Sequence, residues 1–174
     1  MTLEAELLND ILTAPVEKRA ITNHGVLNEA YAYAKPSSFS RGMRIDLNGL
    51  VILLISGTAS IDENGVSVHV GDFRAQLRRT YKNITALLES EGATWKDIVR
   101  TTCYLRDIER DYAAFNEERA AFFKEQGLDP LPASTGIQAI LCRPELLVEI
   151  EAIAMFRKAA TASEANSANG RCRR

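Results

Sequence analysis

The segment Val148 to Phe156, VEIEAIAMF, constrains the fold more than any other stretch of this chain. Its residues alternate in character, and in a strand successive side chains point to opposite faces of the sheet. Val148, Ile150, Ala152, Ala154 and Phe156 make one apolar face, suited to a core packed against helices. The other face carries Glu149, Glu151, Ile153 and Met155. Solvent does not favour the isoleucine and methionine, and a dry core does not tolerate two unpaired carboxylates. Two readings of this mixed face are open. In one, the acids are surface residues or pair with Arg and Lys on a neighbouring strand. In the other, the face is an interface between subunits with a polar pocket at its edge. Burial there would raise a carboxylate's pKa and let it donate or shuttle a proton near neutral pH.

The rest of the chain supplies partners for such a strand. Leu50 to Ser56 is apolar on both faces, which predicts a central strand. Ser56-Gly57-Thr58-Ala59 ends it with small residues, which let another group approach the backbone closely. After a turn at Asp62-Glu63-Asn64-Gly65, Asp72 is placed to cap a helix carrying Phe73, Leu77, Tyr81, Ile84, Leu87 and Leu88 at helical spacing, with Gly92 just past its end. Asp97 to Leu105 is β-branched and aromatic, hence a strand. A second helix is predicted from Glu109 to Gln126, with Tyr112, Phe115, Phe122 and Phe123 on its inner side. A strand from Ser134 to Cys142 and the final one complete the set. Two helices and five or six strands predict a two-layer α+β sandwich, both helices covering one sheet face.

The ends read differently. Leu3, Leu7, Leu8, Ile11 and Leu12 form one stripe of a short amphipathic helix, limited by Pro15 and followed by an irregular polar stretch to Ser40. The expected organisation is an N-terminal extension over 1–38, one domain over 39–158, and a flexible polar tail over 159–174. A chain of 174 residues is enough for one core. Its formal net charge of −2 gives no long-range field to hold a polyanion, so no nucleic acid is expected as partner. No apolar run approaches the ~18 residues of a membrane span, and the acidic N-terminus is unlike a secretory signal. Cys103, Cys142 and Cys172 have neither metal-ligand spacing nor an even number, which fits a reducing cytoplasm with no metal or other cofactor.

Several segments together resemble the Rid/YjgF (reactive intermediate deaminase) family in order and spacing. They are Leu54-Ile-Ser-Gly57, Gln76 with Asn83-Ile84, Asp97 to Leu105, Asp111 to Asn116, Leu131-Pro-Ala133, and Val148 to Ala154. The match runs from about Phe39 to Phe156, roughly two-thirds of the chain. The resemblance implies a chorismate-mutase-like, YjgF-type sandwich with a six-stranded mixed sheet, assembled as a homotrimer with ligand clefts between subunits. It also implies a site: Glu149 at the family's water-activating acid, Asn116 near the cleft, and Phe39, Ser40, Gly57 and Thr58 near the entrance. In deaminating members an arginine follows the Pro-Ala pair and holds the substrate carboxylate bidentately. Here Ser134 follows Pro132-Ala133, and Ser134 and Thr135 offer hydrogen bonds without charge.

Phe39-Ser-Arg-Gly42, Ser56 to Ser60, Ala133 to Ile137, and Cys142 to Glu149 also resemble the C-terminal half of chorismatases, Rid-fold hydrolases in which a glutamate protonates an enol ether. Cys142 and Glu149 match that pair in spacing, although a cysteine on an apolar strand is more often a small buried hydrophobe. Arg41, Arg44 or Arg143 could supply the positive charge that a carboxylate ligand needs, with Arg143 the first candidate. Three functions remain open. One is hydrolysis of a small unsaturated carboxylate (enamine, imine or enol ether) with Glu149 as catalytic residue. The others are a ligand-binding trimer without turnover and a partner-binding trimer that uses the N-terminal helix.

Overall fold

A computed structural model describes residues 16–34 and 36–158. The helix expected over 2–13 and the tail expected over 159–174 lie outside the described residues. In chain order the elements are β1 (Glu17–Ala20), a 3-10 turn (Ala30–Ala32), β2 (Gly42–Leu47), β3 (Leu50–Ala59), α1 (Phe73–Ser90), a 3-10 turn (Trp95–Asp97), β4 (Ile98–Leu105), α2 (Ile108–Glu125), β5 (Ala133–Gln138) and β6 (Val148–Arg157). The strands form one mixed sheet in the order β1-β2-β3-β6-β4-β5, parallel only between β4 and β5.

Both helices begin where a carboxylate can take up a free backbone N–H. The Asp72 side chain accepts from Ala75 N at 2.9 Å, and Asp107 accepts from Arg110 N at 3.0 Å. Both end before a glycine in the left-handed region, Gly92 (φ 74°) and Gly127 (φ 63°), where a side chain would be strained. Leu77, Ile84, Leu87 and Leu88 of α1 join Phe115 and Phe123 of α2 in one buried cluster with Val51, Leu53 and Ile55 of β3. The apolar face of β6 completes that core through Val148, Ile150, Ala152 and Ala154, each at most 2% exposed. Both helices therefore lie on a single sheet face, as the alternation of β6 requires.

Two departures and one further hairpin have local causes. The stretch before Ser40 is not irregular: β1 pairs antiparallel with β2, and Ile21 and Leu27 are fully buried, so the sheet draws on residues ahead of position 39. The β2–β3 hairpin turns on Asn48 (φ 51°) and Gly49 (φ 84°), the two-residue signature of a type I′ turn. Tyr112 is 47% exposed instead of facing the core. The buried line of α2 runs through Asp111, Phe115 and Phe123, and Tyr112 stands one position, about 100° of helix rotation, away from it.

Phe115→Ala is expected to lower the unfolding free energy by about 3–5 kcal/mol, and Tyr112→Ala by about 0.5 kcal/mol or less. Urea titration of both variants checks this. Equal losses at the two sites would place the Tyr112 ring in the core after all.

Candidate functional site

Glu149 is the second residue of β6, opposite Ala59 on β3 and Tyr104 on β4. The β3–β6 ladder is interrupted between Ile55 and Thr58 by a bulge, which turns Ser56 and Gly57 beneath the carboxylate. A Cβ on Gly57 would overlap Oε1 of Glu149 and stand 3.0 Å from its Cδ. Any larger residue at 57 would push the Glu149 side chain out of this position, and Glu149 is the group that the small residues of β3 admit. Burial, and secondarily the Glu151 carboxylate, push the Glu149 carboxyl above its ordinary range. The half-buried acid is thus poised to hold a proton that a surface glutamate would release.

The carboxylate forms part of the wall of a cleft of about 520 Å³, a size suited to a small metabolite. Tyr33, Phe39 and Arg41, the β3 bulge, loop 142–146 and Glu151 of β6 supply most of the rest of the wall. Three side chains from other elements hold these parts in place. Arg106 donates from Nε to Leu146 O and from Nη2 to Arg143 O, both at 2.6 Å. Gln76, fully buried on α1, donates to Glu145 O at 2.9 Å and accepts from Leu147 N at 2.8 Å. Asn83 donates to Ala59 O and Ile61 O, fixing the chain as it leaves the bulge. Arg106 carries no sequence signal for this role, because its acceptors are backbone carbonyls some 40 residues downstream.

Of the residues expected at the site, Phe39, Gly57, Cys142, Arg143 and Glu149 line this cleft. Arg143 donates from Nη1 to Gly65 O at 2.6 Å and to Ser67 Oγ at 3.3 Å. Cys142 is exposed and lies in a loop, not on a strand, because β5 ends at Gln138. Partial desolvation at the wall, and then the Glu149 charge, push its thiol up, which disfavours a thiolate nucleophile. Ser40 and Thr58 frame the bulge: Ser56 Oγ donates to Ser40 O at 2.7 Å, and the buried Thr58 donates to Ser56 O at 2.8 Å.

Ser134, Thr135 and Asn116 gather elsewhere, at the junction of β4, β5 and α2. Ser134 Oγ accepts from Thr101 Oγ1 at 3.0 Å and from Arg119 Nη1 at 3.2 Å. Arg119 Nη2 donates to Asn116 Oδ1 at 2.6 Å, and Thr135 Oγ1 accepts from Arg100 Nη2 at 3.2 Å. Within one chain these three residues are not among those lining the cleft. Among the described residues no group of three His, Cys, Asp or Glu side chains converges as metal ligands, and no helix is long and apolar enough to cross a membrane.

Comparison with known proteins adds an independent line. The family model described as Endoribonuclease L-PSP matches residues 31–156. The 3-aminoacrylate deaminase RutC of Acinetobacter baylyi is 37% identical over 103 residues, which is 59% of this chain and 78% of that protein. Among solved structures, the Rid-family protein YyfA of Yersinia pestis, described as of unknown function, superposes with a TM-score of 0.66 at 30% identity, covering 80% of this chain and all of that one. The YjgF gene product of E. coli gives a TM-score of 0.64 at 27% identity, over 80% of this chain and 99% of its own.

The raised Glu149 carboxyl fixes the sign of a pH effect. The folded chain holds this proton more tightly than the unfolded one. The associated stability is full below the ordinary carboxyl pKa of about 4.3 and is lost as pH rises through the higher folded value. Glu149→Gln therefore melts close to wild type at about pH 4 and above it at about pH 7. A melting difference that stays flat with pH would mark Glu149 as an ordinary surface acid. Gly57→Ala should cost about 1–3 kcal/mol, most of it restored in the Gly57→Ala/Glu149→Ala double variant. Additive losses in that cycle would disconnect the two residues.

Proposed function

Because the chain belongs to the RidA/YjgF (Endoribonuclease L-PSP) family, we propose that it hydrolyses a small unsaturated carboxylate, an enamine, imine or enol ether, with Glu149 as catalytic acid. The observation that carries this reading is Glu149 itself: a half-buried carboxyl, raised by desolvation, on the wall of a metabolite-sized cleft. With an enamine, Glu149 protonates the β-carbon and leaves an iminium. The resulting carboxylate takes a proton from water as its oxygen adds to the iminium carbon, and ammonia departs to leave a carbonyl. An enol ether follows the same course through an oxocarbenium ion and loses an alcohol. The Acinetobacter relative is named for 3-aminoacrylate, which is an enamine carboxylate.

The cleft is read as lying between subunits of a chorismate-mutase-like homotrimer. Leu54 and Met155, each 40% exposed, share the open sheet face with Ile153 and Glu149. A patch of that kind beside a half-buried acid favours an interface between copies of the chain. In this reading Ser134, Thr135 and Asn116 reach the cleft of a neighbouring subunit. One observation favours a second function. Ser134 occupies the position at which the resemblance places the deaminases' arginine, so ordinary deamination is disfavoured and a ligand- or partner-binding trimer without turnover is the alternative.

A thermal-shift screen of small unsaturated carboxylates, with turnover followed by absorbance, separates the two on wild type and Glu149→Gln. Hydrolysis predicts a compound that stabilises both proteins and is consumed only by wild type. Stabilisation with no consumption by either protein would establish the binding reading. Light scattering should return the mass of three chains; a monomer would remove the inter-subunit cleft.

A further inference from the structure

We propose that Arg41 and Arg143 of one chain form a clamp that binds the ligand's carboxylate in the cleft lined by Glu149, standing in for the arginine that position 134 lacks. This rests on the hydrolase reading above and identifies the group that orients its substrate. Arg41 is 3% exposed, an unusual depth for a guanidinium. Its Nε donates to Asn28 O at 2.9 Å, and its guanidinium carbon lies 4.9 Å from the Tyr33 ring centroid and 5.4 Å from that of Phe39. The aromatic faces hold the plane of the group in place. Nη2 is buried and makes no hydrogen bond of good geometry, and the Tyr33 hydroxyl, itself without a well-placed partner, is the polar side chain that acts most strongly on this guanidinium. A charged donor satisfied this poorly is costly, and here it belongs to a residue in the wall of a cleft.

The same tyrosine links the second arm. Gly65 packs its bare Cα against the Tyr33 ring, where a Cβ would come within 2.6 Å of the ring carbons. The carbonyl of Gly65 holds Arg143 through Nη1. Both guanidiniums are thereby anchored around one ring and along one cleft. Among the described residues neither forms a salt bridge, whereas nine other ion pairs bring arginines within 4.0 Å of a carboxylate. Glu29, the acid nearest in effect to Arg41, keeps both of its own oxygens unpartnered. Arg44, the third basic candidate, is committed elsewhere, 3.2 Å from Glu91 Oε2 and 3.4 Å from Asp46 Oδ2. A planar carboxylate matches the fork of a guanidinium, and among the described residues Arg41 and Arg143 both lie in the cleft wall with no protein carboxylate paired to either.

Titration calorimetry with pyruvate, and with methyl pyruvate as its uncharged counterpart, tests the clamp. Pyruvate should bind wild type about tenfold or more tightly than the ester, and Arg143→Gln and Arg41→Lys should each weaken pyruvate about tenfold or more. Arg143 is half-buried, so its variant remains informative if the Arg41 variant folds poorly. Arg78→Gln, on α1 and paired with Glu118 away from the cleft and from Ser134, should leave pyruvate affinity unchanged. Unaltered binding in both clamp variants would overturn the proposal, as would loss of binding confined to Arg119→Gln, the neighbour of Ser134. Failure of wild type to prefer the charged probe would overturn it too. The hydrolase reading is judged separately, by substrate consumption in wild type against Glu149→Gln, and can survive any of these results.

Discussion

β6 hydrogen-bonds along its length to β3 on one side and β4 on the other, and its period-two pattern must satisfy both ladders at once. A slip of one residue would turn Glu149 and Glu151 into the core and Ile150 and Ala152 out of it. That cost makes the register unambiguous, and the positions of both helices follow from it. They lie on the side where Val148, Ile150, Ala152 and Ala154 need cover. The opposite face is left to hold Glu149 and the cleft beside it.

What sets that face apart is an exchange between two strands. β3 gives up regular pairing at its bulge and places Gly57 there, and β6 uses the space for a carboxylate. Burial without a paired cation raises the acid, which suits a proton donor and costs stability at neutral pH. Such a group persists only where the surroundings hold it. Gln76, Asn83 and Arg106 do so by hydrogen-bonding the backbone on both sides of the cleft, so that loop 142–146 and the end of β3 do not yield to relieve the strain. The aromatic packing under Arg41 has the same character, since a charged group is kept dry by Tyr33 and Phe39.

Legibility in the sequence followed the range of the interaction. The two helix starts at Asp72 and Asp107 differ in this respect. The first was readable from Gly71-Asp72 ahead of a periodic run, and the second was displaced by a residue because Ile108 opens the helix before Glu109. The β2–β3 hairpin had its signal in Asn48-Gly49, yet the strand ahead of it, GMRIDL, mixes charge into its alternation and gives no clear strand signal. Cys142 was harder. The stretch Ile137 to Leu141, apolar apart from Gln138, looks like continuing strand, but pairing with β4 ends at Gln138 and the chain leaves the sheet. Tyr112 was misplaced because an aromatic side chain signals burial by type, whereas its angle on the helix leaves it in solvent.

By itself the sequence determined the alternation of β6, the amphipathic stripes of both helices, the small residues that admit a close neighbour, and the family. Each is written in the spacing of adjacent residues or in a motif a few residues long. Tertiary structure alone decided that the neighbour of Gly57 is Glu149, 92 positions along the chain, that Arg41 is buried with a poorly satisfied donor, and that Ser134 and Asn116 gather apart from the cleft. These depend on which strands and helices come together in space and which surfaces then exclude water from one another, and no local pattern encodes either.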